Sequence, residues 1–162
     1  MPELKDWRNT LVMQENGQTG CIPVGYEWMI KYKNTEGVNF DTFQRDFDLG
    51  GDRNSFENVA REVMNCYPHI TIHLRDFADG NEKVNFIQSL LEAGHPCLIS
   101  YYFVIRQTYH IMPVVYINEQ RLEAIDYVEQ IDPPIIKIFV ERRDEVIRSH
   151  SRYPGGKDIA WL

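Results

Sequence analysis

Two apolar runs, His110–Ile117 and Arg121–Val128, are separated only by Asn118-Glu119-Gln120, and this spacing constrains the fold more than any other feature of the chain. Three polar residues cannot carry a parallel crossover, which takes a dozen residues or more, so the runs must form an antiparallel hairpin. A third apolar run, Cys97–Val104, precedes them and reads as a buried strand.

Upstream the period changes. Cys21, Gly25, Trp28, Met29 and Tyr32 recur at helical spacing, which predicts a helix from about Cys21 to Lys33 with Pro23 in its first turn. Asn54 or Ser55 can cap a second helix reaching about Cys66, with Phe56, Val59, Ala60 and Val63 inward. Pro68 closes that region, and Ile70–Leu74 reads as a strand. Asn81 caps a third helix to about Ala93, stopped by Gly94. Residues 34–52 read as a long irregular connection. Asp132-Pro133-Pro134 is expected to open a C-terminal helix to about Ser149, and Pro154-Gly155-Gly156 a turn before the apolar segment Ile159–Leu162. Helices dominate the first half and antiparallel strands the second, so the expected fold class is α+β.

Two polar residues interrupt the hairpin. His110 opens an apolar strand, and Asp126 breaks the alternation of Leu122, Ala124 and Val128. Their separation centres on Asn118, so they should lie opposite each other to within about one residue. A buried carboxylate is expensive without a partner, and each residue accounts for the other. An aspartate accepting from one ring nitrogen fixes the tautomer and leaves the second nitrogen for other work. A purely structural pair is the competing reading.

Cys21 supplies a nucleophile. A thiol at a helix start sits where the backbone dipole is positive, and a neighbouring imidazolium lowers its pKa further. The bland alternative is a buried, inert cysteine. Cys66 and Cys97 read as packing residues, one ending an amphipathic helix and the other beginning a core strand.

The segment Gln14…Cys21-Ile22-Pro23, with Gly94-His95-Pro96-Cys97-Leu98-Ile99 and then His110…Asp126, resembles the papain-like cysteine peptidases. It is most similar to their compact prokaryotic branch, the bacteriocin-leader (double-glycine) peptidase-like proteins. The resemblance implies a single papain-like domain over residues 1–162. An N-terminal helical lobe would carry the nucleophile at a helix start, packed on a C-terminal antiparallel sheet. It implies Cys21 as nucleophile, His110 as general base, Asp126 as the orienting residue and Gln14 as oxyanion donor, with Gln18 as the fallback for that last role. The implied reaction is hydrolysis of a peptide or isopeptide bond through a thioester. Transfer of the acyl group to an amine, as in transglutaminase-like relatives, and a catalytically weak peptide- or partner-binding domain are the alternatives. The chemistry calls for no cofactor and no metal, and the expected partner is a peptide or protein substrate. The sequence departs from the expected pattern in three places: Glu15 stands where the glutamine is usual, Ile22 follows the cysteine in place of glycine, and Pro113 lies within the histidine strand, where proline belongs at an edge or a bulge.

Composition narrows the classes. The formal net charge of −7 disfavours a nucleic-acid or anionic-membrane surface. No apolar run is long enough to span a bilayer, the start has no secretory pattern, and three widely spaced cysteines make no disulfide framework. A cytoplasmic setting is the simplest expectation. His69 and His73 could share a strand face and seat a metal, but no third ligand is near in sequence. The Asp46-x-Asp48-x-Gly50 stretch lacks the ligand order of a calcium loop and reads as a solvated turn.

Overall fold

Residues 3–15, 20–128, 135–153, 155 and 158–162 are described by the structure, a computed structural model. Among the described residues, six antiparallel strands form one sheet in the order β1-β6-β2-β3-β4-β5. They are β1 His73–Asp76, β2 Cys97–Phe103, β3 Thr108–Ile117, β4 Arg121–Val128, β5 Ile135–Arg142 and β6 Asp158–Trp161. The helices are α1 Cys21–Tyr32, α2 Phe43–Phe47, α3 Phe56–Cys66, α4 Gly80–Glu92 and α5 Arg143–Arg152. The α+β class expected from the sequence is the one observed.

The central hairpin forms as its turn dictates. Asn118 accepts from the Gln120 and Arg121 amides through its side chain, closing the β3–β4 connection. A β-bulge between Val114 and Tyr116 then shifts the register.

Helix ends follow local chemistry. Ser55 caps α3 by accepting from the Asn58 amide, as expected. The cap of α4 is Asp79 rather than Asn81, its carboxylate taking the Asn81 amide at 2.9 Å. Gly94, in the left-handed region at φ +79°, ends that helix. Within 34–52 the pair Phe43 and Phe47, rings 4.7 Å apart, supports the one-turn helix α2 where an irregular connection was expected.

The C-terminal helix begins later than the sequence predicts. Residues 135–142 form β5, paired with β4 along its length, and the helix starts only at Arg143. The run Ile135-Ile136-Lys137-Ile138-Phe139-Val140 is β-branched and aromatic, which suits a pleated surface and crowds a helix. The first-half strand is also later than expected, at His73–Asp76, because it pairs with β6. The Asn16-Gly17 turn, Gln18, the Asp132–Pro134 break, Pro154 and Gly156 lie outside the described residues.

The sheet is covered on both faces. Leu98 and Tyr101, three residues apart on β2, point to opposite sides. On the Leu98 side lies α1, buried all round from Ile22 to Ile30 rather than along a single stripe. Its Gly25 permits close approach, since a Cβ there would stand 2.9 Å from Leu98 Cδ1. Tyr26 donates to the Phe56 carbonyl at 2.9 Å and ties α1 to α3. The Tyr101 side is covered by α4 and α5, with Phe86 of α4 against Trp161 beside Cys97.

One contact of α4 is unusual. Lys83 is only 2% exposed, and its ammonium donates to the Ser100 carbonyl at 3.2 Å. Burial lowers its pKa to about 7, with the nearby Asp76 pulling the other way. In the unfolded chain the same lysine titrates at about 10.4. Between those values the unfolded state binds the extra proton, so stability rises with pH across that window. Lys83→Met, which removes the buried charge, should flatten the rise, with its largest gain over the parent at and below neutrality, as read from urea titrations at about pH 6 and about pH 10. An unchanged pH slope would contradict this.

Candidate active site

His110 and Asp126 meet. The His110 Nε2–H donates to Asp126 Oδ1 at 2.9 Å, with His110 fully buried and Asp126 2% exposed. With Ile117 opposite Leu122 at the turn and Val114 opposite Ala124 beyond the bulge, they are diagonal rather than directly opposite neighbours, which antiparallel strands still allow to touch. Paired with Tyr101 across the sheet, His110 belongs to the Tyr101 face. Phe103 closes over its ring at a centroid distance of 5.3 Å.

The second carboxylate oxygen of Asp126 faces two further cations. Arg106 Nη2 is 3.6 Å away and Lys137 Nζ 3.9 Å. Burial by itself raises the Asp126 pKa, but the His110 hydrogen bond and the charges of His110, Arg106 and Lys137 outweigh it and hold the carboxyl below its ordinary value. Arg106 also lies over the Phe103 ring at 4.7 Å. Lys137 was hidden in what read as a helix and Arg106 in a turn, so neither carried a signal in the sequence. Together these side chains wall one end of a groove of about 530 Å³ whose far end is lined by Glu141 and Glu145.

Cys21 occupies the first position of α1 and is partly exposed. The direction of α1 is set by two contacts, Gly25 on Leu98 and Lys33 against His95 at 3.3 Å, so the helix runs antiparallel to β2. Cys21 is one turn before Gly25, at the end of α1 away from the Lys33–His95 contact. Through Gly25 the helix packs on the Leu98 face of the sheet, whereas the imidazole belongs to the Tyr101 face. Among the described residues no hydrogen bond joins Cys21 to His110.

The other cysteines differ from it. Burial pushes the Cys97 thiol far up, which makes it inert. Cys66 is exposed at the end of α3, contrary to the packing role expected for it.

Gln14 is buried at 1% exposure, and Glu15 is turned outward onto Arg45 at 3.1 Å. A residue absent from the sequence reading fixes this arrangement. Gln44 of α2 accepts from the Glu15 amide at 2.8 Å and donates to the Met13 carbonyl at 2.7 Å, clamping the backbone on both sides of Gln14. The only hint was the Phe43-x-x-x-Phe47 spacing around it. Glu15, Gly20, Pro23, Gln44, Arg45 and Asp48 line a cavity of about 300 Å³ at the head of α1. The chain neighbours of Gln14 and Cys21, Glu15 and Gly20, thus border one space.

The two histidines considered for a metal are held by different partners. His69 lies outside β1 and bonds the Glu36 carbonyl through Nε2, while His73 stacks on Trp161. No helix among the described residues is long and apolar enough to cross a membrane.

No protein-family model matches the sequence, and no curated protein does. Among solved structures, that of the Pseudomonas avirulence protein AvrPphB is similar over 97% of this chain and 98% of its own, at 11% identity and a TM-score of 0.33. A likeness that loose adds nothing to the geometry above.

Proposed function

We propose that this chain is a papain-like cysteine hydrolase that opens a peptide or isopeptide bond through a thioester on Cys21. The observation that carries the reading is the buried His110–Asp126 bond on β3 and β4, with the cysteine-bearing helix packed against that same β3.

Each step follows from the residues. The thiol gives its proton to His110 Nδ1 and its sulfur attacks the carbonyl carbon. Asp126 accepts from Nε2–H, so Nδ1 is the basic nitrogen and the imidazolium that forms is stabilised. The Cys21 amide and the Gln14 side chain hold the oxyanion. Collapse expels the amine, which takes the proton from His110. Water then attacks the thioester, again yielding its proton to His110, and the acid leaves as the thiol is restored. Because α1 packs on the Leu98 face and the His110 ring lies on the Tyr101 face, the proposal requires the head of α1 or the β3 end at His110 to rearrange on substrate binding before thiol and Nδ1 meet.

Iodoacetamide alkylation of Cys21 against pH tests the reading, in a Cys66→Ser background that removes the other accessible thiol. A reactive thiolate well below the ordinary thiol pKa of about 8.5, shifted upward in His110→Ala, is the expected result. A profile indifferent to His110 would favour the second reading, a partner-binding domain, which the placement of α1 and the His110 ring on opposite faces of the sheet supports.

The oxyanion assignment has its own test. Gln14→Ala should lower the hydrolysis rate roughly a hundredfold or more while leaving alkylation of Cys21 unchanged. An undiminished rate would remove Gln14 from the mechanism.

A further inference from the structure

The outer edge of β5 is the largest feature the proposed chemistry does not use. Among the described residues β5 pairs with β4 alone, so alternate residues of this eight-residue strand turn their backbone groups outward, the Arg142 amide donating to the Glu141 side chain at 2.8 Å. Natural edge strands are blunted by charge, proline or a bulge. This one carries Ile138 and Val140, 37% and 55% exposed, and no proline.

The sequence of the edge is self-complementary. When two copies of one strand pair antiparallel about a two-fold axis perpendicular to the sheet, opposed residues share a face, so the axis must pass through a residue and not between two. An axis at Lys137 or Glu141 sets like charges against each other. An axis at Ile138 sets Lys137 against Phe139, and one at Val140 sets Glu141 against Phe139. Only an axis at Phe139 matches every inner pair: Lys137 faces Glu141 of the second copy on both sides, Ile138 faces Val140, and Phe139 faces itself.

We propose that β5 docks a second copy of this chain, edge to edge and antiparallel about Phe139, so that the two six-stranded sheets continue as one. Side-chain positions suit this. Lys137, Ile138 and Val140 are exposed, and Glu141 is held in place by the Tyr101 hydroxyl, which donates to it at 3.2 Å. The grooves beside the two His110–Asp126 pairs, each lined by Lys137 and Glu141, then adjoin across the axis. The pairing is independent of whether Cys21 is a nucleophile.

Sedimentation equilibrium of the full chain tests it. The parent protein should dimerise with increasing concentration, and Val140→Lys should remain monomeric with an unchanged circular dichroism spectrum. Lys137→Glu and Glu141→Lys should each lose the dimer, since each opposes like charges. An equimolar mixture of those two variants should recover it, because each new charge then meets its opposite. A parent chain that stays monomeric at high micromolar concentration would overturn the proposal. So would a dimer that survives Val140→Lys, or two charge variants whose mixture dimerises no better than either alone.

Discussion

Cys21→Ala should abolish hydrolysis, lowering the rate by about 10⁴-fold or more, while the protein melts at nearly the parent temperature. Both halves follow from where the residue sits. Cys21 opens α1 and is partly exposed, whereas the helix is anchored further along by Gly25 on Leu98, by Tyr26 on the Phe56 carbonyl and by the Tyr32 hydroxyl on the Lys5 carbonyl at 2.9 Å. Losing one sulfur at the helix head removes little buried surface. The same substitution should eliminate the fast alkylation phase and leave the slow labelling of exposed Cys66. Mass spectrometry of the labelled protein distinguishes the two sites. Retention of the fast phase in Cys21→Ala would place the reactive thiol elsewhere and defeat the mechanism.

Asp126→Ala should cost stability as well as activity. The substitution removes the acceptor of the His110 Nε2–H and the anion that faces Arg106 and Lys137. About 1–3 kcal/mol is expected for leaving a buried donor unmatched. In a chain of this length that corresponds to a melting temperature lower by roughly 2–12 °C. The pH dependence fixes the cause. The Asp126 pKa is depressed in the folded state, so the pair stabilises the protein above the unfolded carboxyl value of about 3.9 and loses that contribution as pH falls through the lower folded value. The difference in stability between parent and Asp126→Ala should therefore shrink in acid. Asp126→Asn, which can still accept from Nε2–H, should recover part of the loss. Equal melting temperatures for the parent and Asp126→Ala at neutral pH would show that the pair stabilises nothing.

Several elements were legible because their causes are local. The β3–β4 hairpin follows from a three-residue polar break between two apolar runs. The start of α1 at Cys21 and the Ser55 cap of α3 are matters of neighbouring residues, and a helix or turn signal of that kind acts within a few positions. The meeting of His110 with Asp126 was legible for a different reason. Each is a costly interruption of an apolar strand, and the two are close in sequence separation around a fixed turn.

What failed had a tertiary cause. A break at Asp132-Pro133-Pro134 followed by apolar and charged residues fits a helix start or a new strand equally well. The β4 edge decided for a strand by offering a ladder of partners. The bulge at Val114 and Tyr116 changed which residues oppose each other, and no local signal announced it.

The amino-acid sequence by itself determined the hairpin, the helix that begins at Cys21 and the His110–Asp126 pair, since turn chemistry, periodicity and the penalty for burying charge all act over short range. Only the tertiary structure decided that Gln44 clamps the backbone around Gln14, that Arg106 and Lys137 gather on Asp126, and that α1 and the His110 ring lie on opposite faces of the sheet. Those arrangements depend on which sheet face each element covers, and that choice is made by packing distant segments together.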